Sequence, residues 1–310
     1  MQPIVRLLQA AALLIATEAI AQEPFPEDAS KALTDPASPV TSFAPLTEPS
    51  AEAHHGKVVR MEAKLTEKSP PMKYGLSWRV FTPIAGPDGK LPLLASSEGG
   101  STQFELEPGE YFVHVAFGRA GATKKLIVSQ DGEPPAQTFV LDAGGMVLNA
   151  VSGADMRIPE SELTFNIYSS EVKEDGERGL IMANVKPGEV VRLNAGTYHV
   201  VSNYGTINAS IRADIQIQAG KLTEATIQHK AAKITLKLVS QEGGEAIADT
   251  AWSILSGSGD AVSESVGAFP VMVLAEGKYT AVARHKDKIY QRDFTVTPGR
   301  NQDVEVLLED

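Results

Sequence analysis

From residue 57 onward, apolar and polar residues alternate in short runs separated by turn residues. Ile211, Ala213, Ile215 and Ile217 alternate with Arg212, Asp214, Gln216 and Gln218, which is the period-2 signature of a half-buried strand. Tyr111, Val113, Val115 and Phe117 make one face of another strand, with His114 on the other. Asp88-Gly89, Asp131-Gly132, Asp175-Gly176 and Pro298-Gly299 supply turn chemistry between the runs. No apolar period of 3.6 residues persists for three turns, so the reading is strands throughout.

The runs recur. Met61, Leu148 and Leu236 centre similar alternating segments and lie 87 and 88 positions apart. An aromatic-led strand begins at Trp78, Phe165 and Trp252, at intervals of 87 and 87. A Gly-x-Tyr step follows at Gly109–Tyr111, Gly196–Tyr198 and Gly277–Tyr279, each with another turn glycine 22 to 24 positions later. Three landmarks in one order at one spacing indicate internal repetition. Each unit offers six or seven short strands with frequent turns, which fits a two-sheet sandwich. The expected fold is all-β: three tandem β-sandwich domains of immunoglobulin-like or transthyretin-like type at 57–142, 143–231 and 232–310. Trp78, Phe165 and Trp252 are expected to fill the three cores, with the repeated tyrosines beside them.

The first 56 residues read differently. A basic start ending at Arg6, an apolar run from Leu7 to Ala16 and Ala19-Ile20-Ala21 before Gln22 form a secretory signal peptide at 1–21. The apolar run is too short for a bilayer, which takes about 20 residues. Residues 22–56 hold six prolines, several acids and a single lysine, Lys31. Such a stretch buries too little apolar surface to offset its ordering entropy and reads as a disordered linker. The chain has no cysteine, which removes a lipoprotein anchor, thiol chemistry and disulfides. An exported protein without disulfides points to a bacterial periplasm or exterior, Gram-negative by preference. A net charge of −11 does not suit nucleic acid, whose binding rests on neutralised phosphates.

The steps Glu107-Pro108-Gly109-Glu110-Tyr111, Asn194-Ala195-Gly196-Thr197-Tyr198 and Ala275-Glu276-Gly277-Lys278-Tyr279 resemble a strand start of two bacterial families. These are the carboxypeptidase-regulatory-like and PEGA-type β-sandwich domains. The first step alone carries the proline of that pattern, at Pro108. The resemblance implies a sandwich used as an accessory or interaction module without catalysis, and no particular ligand.

Candidate chemistry is sparse. Six histidines are present. The adjacent pair His54-His55 beside Glu52 points its side chains opposite ways on an extended chain, a poor chelate. His114 and His199 are expected on the solvent-facing side of equivalent strands. Ser256-Gly257-Ser258-Gly259-Asp260 falls where the other units carry turns, so a turn is expected there rather than a nucleophile. The acidic loops lack the dense Asp-x-Asp-x-Asp spacing of a calcium loop, and nothing singles out a carboxylate pair among 39 acids. No catalytic, metal or cofactor residue is assigned. The expected function is an exported, non-catalytic envelope protein whose sandwiches contact another envelope protein, without membrane insertion after signal cleavage. The alternative is carbohydrate binding, a glycan being the other candidate partner. With the tryptophans expected in the core, Tyr74, Tyr168, Tyr204 and Tyr290 are the candidate exposed platforms for a sugar.

Overall fold

The computed structural model describes residues 56–308; the expected signal peptide, nearly all of the expected linker and His54-His55 lie outside the described residues. The described chain is all-β, with 22 strands and a single 3₁₀ turn at Glu160–Glu162. Among the described residues no helix is long and apolar enough to cross a membrane.

The strands form six sheets in three successive pairs. The first pair holds β1 (Lys57–Lys64), β2 (Leu76–Phe81), β3 (Leu93–Gly99), β4 (Thr102–Leu106), β5 (Gly109–Phe117), β6 (Ala120–Val128) and β7 (Gln137–Val140). The second holds β8 (Ala143–Ser152), β9 (Met156–Arg157), β10 (Leu163–Val172), β11 (Arg178–Val185), β12 (Val190–Asn194), β13 (Gly196–Tyr204), β14 (Ser210–Ile217) and β15 (Leu222–His229). The third holds β16 (Ala231–Val239), β17 (Ala251–Ser256), β18 (Ala261–Val266), β19 (Val271–Ala275), β20 (Gly277–His285), β21 (Lys288–Val296) and β22 (Gln302–Leu307). The second pair thus carries one strand more than expected, the two-residue β9.

Topology repeats with sequence. Each pair has a four-stranded antiparallel sheet, ordered β3-β2-β5-β6, β11-β10-β13-β14 and β18-β17-β20-β21. Each also has a second sheet built on three equivalent strands, β4-β1-β7, β12-β8-β15 or β19-β16-β22, to which the second pair adds β9 alongside β8. In the latter the opening strand runs antiparallel to one neighbour and parallel to the last strand of its pair. Even the irregularities recur: register breaks fall at Val80/Phe81, Ile167/Tyr168 and Ile254/Leu255.

The pleat delivers the alternation to the core. Met61, Leu148 and Leu236 are buried on the opening strands, and Trp78, Phe165 and Trp252 are 0%, 0% and 2% exposed. Trp78 meets Phe139 of the facing sheet edge to face, with ring centroids 5.3 Å apart. Both indole N–H groups find carbonyls, Trp78 Nε1 donating to Gly100 (2.8 Å) and Trp252 Nε1 to Gly267 (2.9 Å). The repeated tyrosine serves one purpose three times. Tyr111, Tyr198 and Tyr279 donate their hydroxyls to the carbonyls of Glu107, Asn194 and Ala275, four residues back, at 3.0, 2.9 and 3.0 Å. That bond ties each Gly-x-Tyr strand to the strand before it.

Candidate functional site

The residues singled out for chemistry scatter. His114 Nδ1 lies 2.9 Å from Thr123 Oγ1 and His199 Nδ1 2.7 Å from Asp214 Oδ1, both on outward faces. Burial, then the Arg79 charge, holds His114 below the usual imidazole range. Ser256 to Asp260 is a turn, closed by Ser256 N–H to Asp260 O at 2.8 Å and by Ser258 Oγ to Asp260 Oδ2 at 2.6 Å. Among the described residues no three His, Asp or Glu side chains gather as a metal site. Lys237 and Asp303 form an exposed ion pair whose hydrogen bond favours the charged form of both.

The candidate sugar platforms divide. Tyr74 is 79% exposed, while Tyr168 and Tyr290 are half-buried. Tyr204 is not a platform: it is 1% exposed. It shares the inward parity of Val200 and Ser202 on β13, so the pleat carries it into the core.

Among the described residues one arrangement resembles a nucleophile with its base, and it was not legible among the motifs. Ser202 Oγ and His229 Nε2 lie 2.7 Å apart and share a hydrogen bond. Both residues are sealed, at 0% and 1% exposure, so no substrate reaches them. Burial pushes the His229 imidazole down to about 4, and the Tyr204 ring stands edge-on to it with centroids 5.8 Å apart. Burial, then the Glu162 charge, raises the Tyr204 hydroxyl. Ser152 donates to the carbonyls of His229 and Ala231. The sequence signal was parity alone: His229 keeps the inward register of Ile227 on β15.

This polar cluster lies where the second pair meets the third, and side chains bridge both internal junctions. Two residues, Leu141 and Asp142, separate β7 from β8, and Lys230 alone separates β15 from β16. At the first junction Asn194 of β12 donates to the carbonyls of Leu141 (2.7 Å) and Gly121 (3.2 Å) and accepts from Gly121 N–H (3.2 Å). The Arg192 guanidinium sits 4.7 Å over the Phe117 ring. At the second, Asn208 donates to Tyr279 Oη (3.0 Å) and accepts from Ala275 N–H (2.9 Å). Glu162 and Lys233 form an ion pair across it. The apolar clusters also cross: Ala143 joins the first core, and Ala231 and Val273 join the second. A cleft of about 350 Å³ at the second junction is lined by Glu162, Gly205, Ile207, Lys233 and Val273 among others.

A family model matches part of this array. It describes a Rhizobiales growth-associated tandem repeat domain and covers residues 233–308, the span of the third sheet pair. No curated protein matches the chain. Solved structures resemble it distantly. The Bacillus anthracis TIE protein is 15% identical over 82% of this chain and 50% of that one, with a TM-score of 0.25. A streptococcal ancillary pilin is 11% identical over 82% of this chain and 99% of that one, at 0.30. BcpA, the major pilin subunit of Bacillus cereus, is 11% identical over 81% and 99%, at 0.20. The chain thus spans half the length of the TIE protein. Likenesses this distant assign no residue of this chain a role.

Proposed function

We propose that this is an exported, non-catalytic interaction or scaffold protein of the bacterial envelope. In this reading the three sheet pairs are tandem β-sandwich domains at 57–142, 143–231 and 232–310, and all are copies of the tandem repeat matched at 233–308. Their shared strand order and repeated tyrosine bond support the extension to the first two. A closer kinship to carboxypeptidase-regulatory-like or PEGA-type domains rests on the Gly-x-Tyr step. Export, to the periplasm or beyond it, rests on the signal-peptide pattern of residues 1–21.

The observation that carries the reading is the investment in junctions rather than in an accessible site. The Ser202–His229 pair is sealed, whereas side chains bridge each boundary, as in arrays that present extended surfaces to partners. Sheets of this kind contact partners along their terminal strands, here β3, β11 and β18 of the four-stranded sheets. A glycan platform is less well supported, since both tryptophans and Tyr204 are buried.

The test is fractionation of the native cell with N-terminal sequencing, joined to photocrosslinking from the exposed Leu94 of β3. The expected result is a mature start at Gln22 and crosslinks to an envelope protein. A chain retaining Met1 in the cytosol removes the envelope reading, and a hydrolytic activity abolished by Ser202→Ala removes the non-catalytic one.

A further inference from the structure

The two internal junctions share one contact. Nine residues after the glycine that opens β5 or β13, the hairpin tip carries Gly118 or Gly205. Four residues before the equivalent glycine of the next pair stand Arg192 and Val273. Tip and strand meet in both cases: a Cβ on Gly118 would lie 2.9 Å from that of Arg192, and one on Gly205 2.8 Å from that of Val273. The residue before each glycine is covered as well. Phe117 lies under Arg192, and Tyr204 belongs to the cluster that takes in Val273.

Among the described residues no further sheet pair meets the same two positions of the third and the first pair. Nine residues after Gly277 is Lys286, whose φ of 47° is left-handed like the 66° and 70° of Gly118 and Gly205. Its neighbour His285 has a buried Nδ1 without a hydrogen-bond partner. Four residues before Gly109 is Glu105, exposed on β4. The ends carry opposite charge. Arg284, Lys286 and Lys288 are exposed at the tip with one acid, Asp287, in a chain of net charge −11. Glu105 and Glu107 flank the end of β4, Arg60 stands across from Gln103, and the Lys57 amine is turned to the carbonyls of Gln130 and Gly132.

We propose that a second copy of this chain docks head to tail, the β20–β21 tip of one copy on β4 of the next, with Lys286 against Glu105. Lys286 has a Cβ where the internal tips have none, so the ends meet less closely and hold by charge. Exposed ion pairs are weak and screened by salt, so the association is reversible and salt-sensitive. A tip-to-strand contact is heterologous and propagates into open chains rather than closing as a dimer. The inference goes beyond the envelope reading and does not rest on it, because purified chain would associate wherever the cell places it.

Sedimentation velocity on the full mature chain tests it. At about 20 mM salt the average sedimentation coefficient should climb with concentration past the dimer, and at about 0.5 M it should return to the monomer. Lys286→Glu and Glu105→Lys should each be monomeric, and their equimolar mixture should associate again, since each supplies the complement of the other. The milder Lys286→Gln and Glu105→Gln should each weaken association several-fold, and unchanged thermal melts show that all four variants fold. A parent that stays monomeric at low salt, a plateau at dimer, association untouched by Lys286→Glu, or a mixture that fails to recover overturns the proposal.

Discussion

Trp252→Ala tests how the array divides its stability. Trp252 is 2% exposed, belongs to the third core with Ile234, Leu274 and Val306, and donates its indole N–H to Gly267. Truncating a buried Trp costs about 3–5 kcal/mol through lost transfer energy and the cavity left behind. Gly267 is half-buried and water can replace the donor, so the lost bond adds little. A sandwich spanning residues 231–307 holds in total about 4–12 kcal/mol at 0.05–0.15 kcal/mol per residue. The variant should therefore leave the third pair near unfolding. The chain has two tryptophans, Trp78 and Trp252, so Trp78 becomes the sole reporter of the first pair. In urea, circular dichroism should show an early loss of part of the β signal while Trp78 fluorescence keeps its parental midpoint. Trp252→Phe should cost only about 1–2 kcal/mol, because Phe165 fills the equivalent place in the second pair. If Trp78 fluorescence and circular dichroism shift together, the three pairs unfold as one unit and the separate-core argument fails. A parental melt would mean that Trp252 does not hold the core.

The sealed imidazole makes the second pair acid-sensitive. His229 is held neutral, down from 6.5 to about 4, so its contribution is complete above pH 6.5 and fades as the pH falls toward 4. The shift corresponds to about 3 kcal/mol, and the protection of the β15 amides against hydrogen exchange, taken relative to the intrinsic rate at each pH, should fall over that window in the parent but not in His229→Gln. Gly205→Ala should cost roughly 2–4 kcal/mol, combining left-handed strain with the contact on Val273, whereas Gly176→Ala, also left-handed but in open space, should cost about 1; equal urea shifts would remove the junction contact from the account. A fragment of residues 230–310 should fold alone with a cooperative melt, since the members of its buried cluster all lie within it. A fragment of residues 56–229 should lose about 1.5 kcal/mol or more from its second pair, which buries Val273; a second pair as stable as in the whole chain would refute that.

The fold was largely legible because its determinants are local and repeated. Period-2 alternation gave the strands, and the spacing of Trp78, Phe165 and Trp252 gave the three cores, since a pleat sends alternate residues to opposite faces. The parallel pairing of β1 with β7 was not legible. It joins residues some 76 positions apart, such as Met61 and Gln137, and no local pattern reports which strands become neighbours. Tyr204 illustrates a different failure, in which a polar hydroxyl outweighed the inward parity it shares with Val200. Ser202 and His229 were hidden for the same reason: a binary pattern marks polar residues as outward, while a satisfied pair is buried at small cost. No sequence pattern marks Gly118 or Gly205, because the residue each touches belongs to the next repeat.

The junctions give the array a direction. The first core takes Ala143 from the pair after it, and the second takes Ala231 and Val273 from the pair after it. The buried members of the third core all come from its own strands. Each of the first two pairs is thus completed by its C-terminal neighbour, and a linker of one or two residues leaves that neighbour no freedom to depart while both are folded. Separation would open the core of the N-terminal member at both junctions, and at the second it would also uncover the third core where Ile207 packs against it. The second junction adds the sealed imidazole and the Glu162–Lys233 pair, whose Glu162 Oε2 is buried without a partner. Acid therefore weakens the second pair and its boundary with the third through His229, which is 1% exposed and held neutral by its burial.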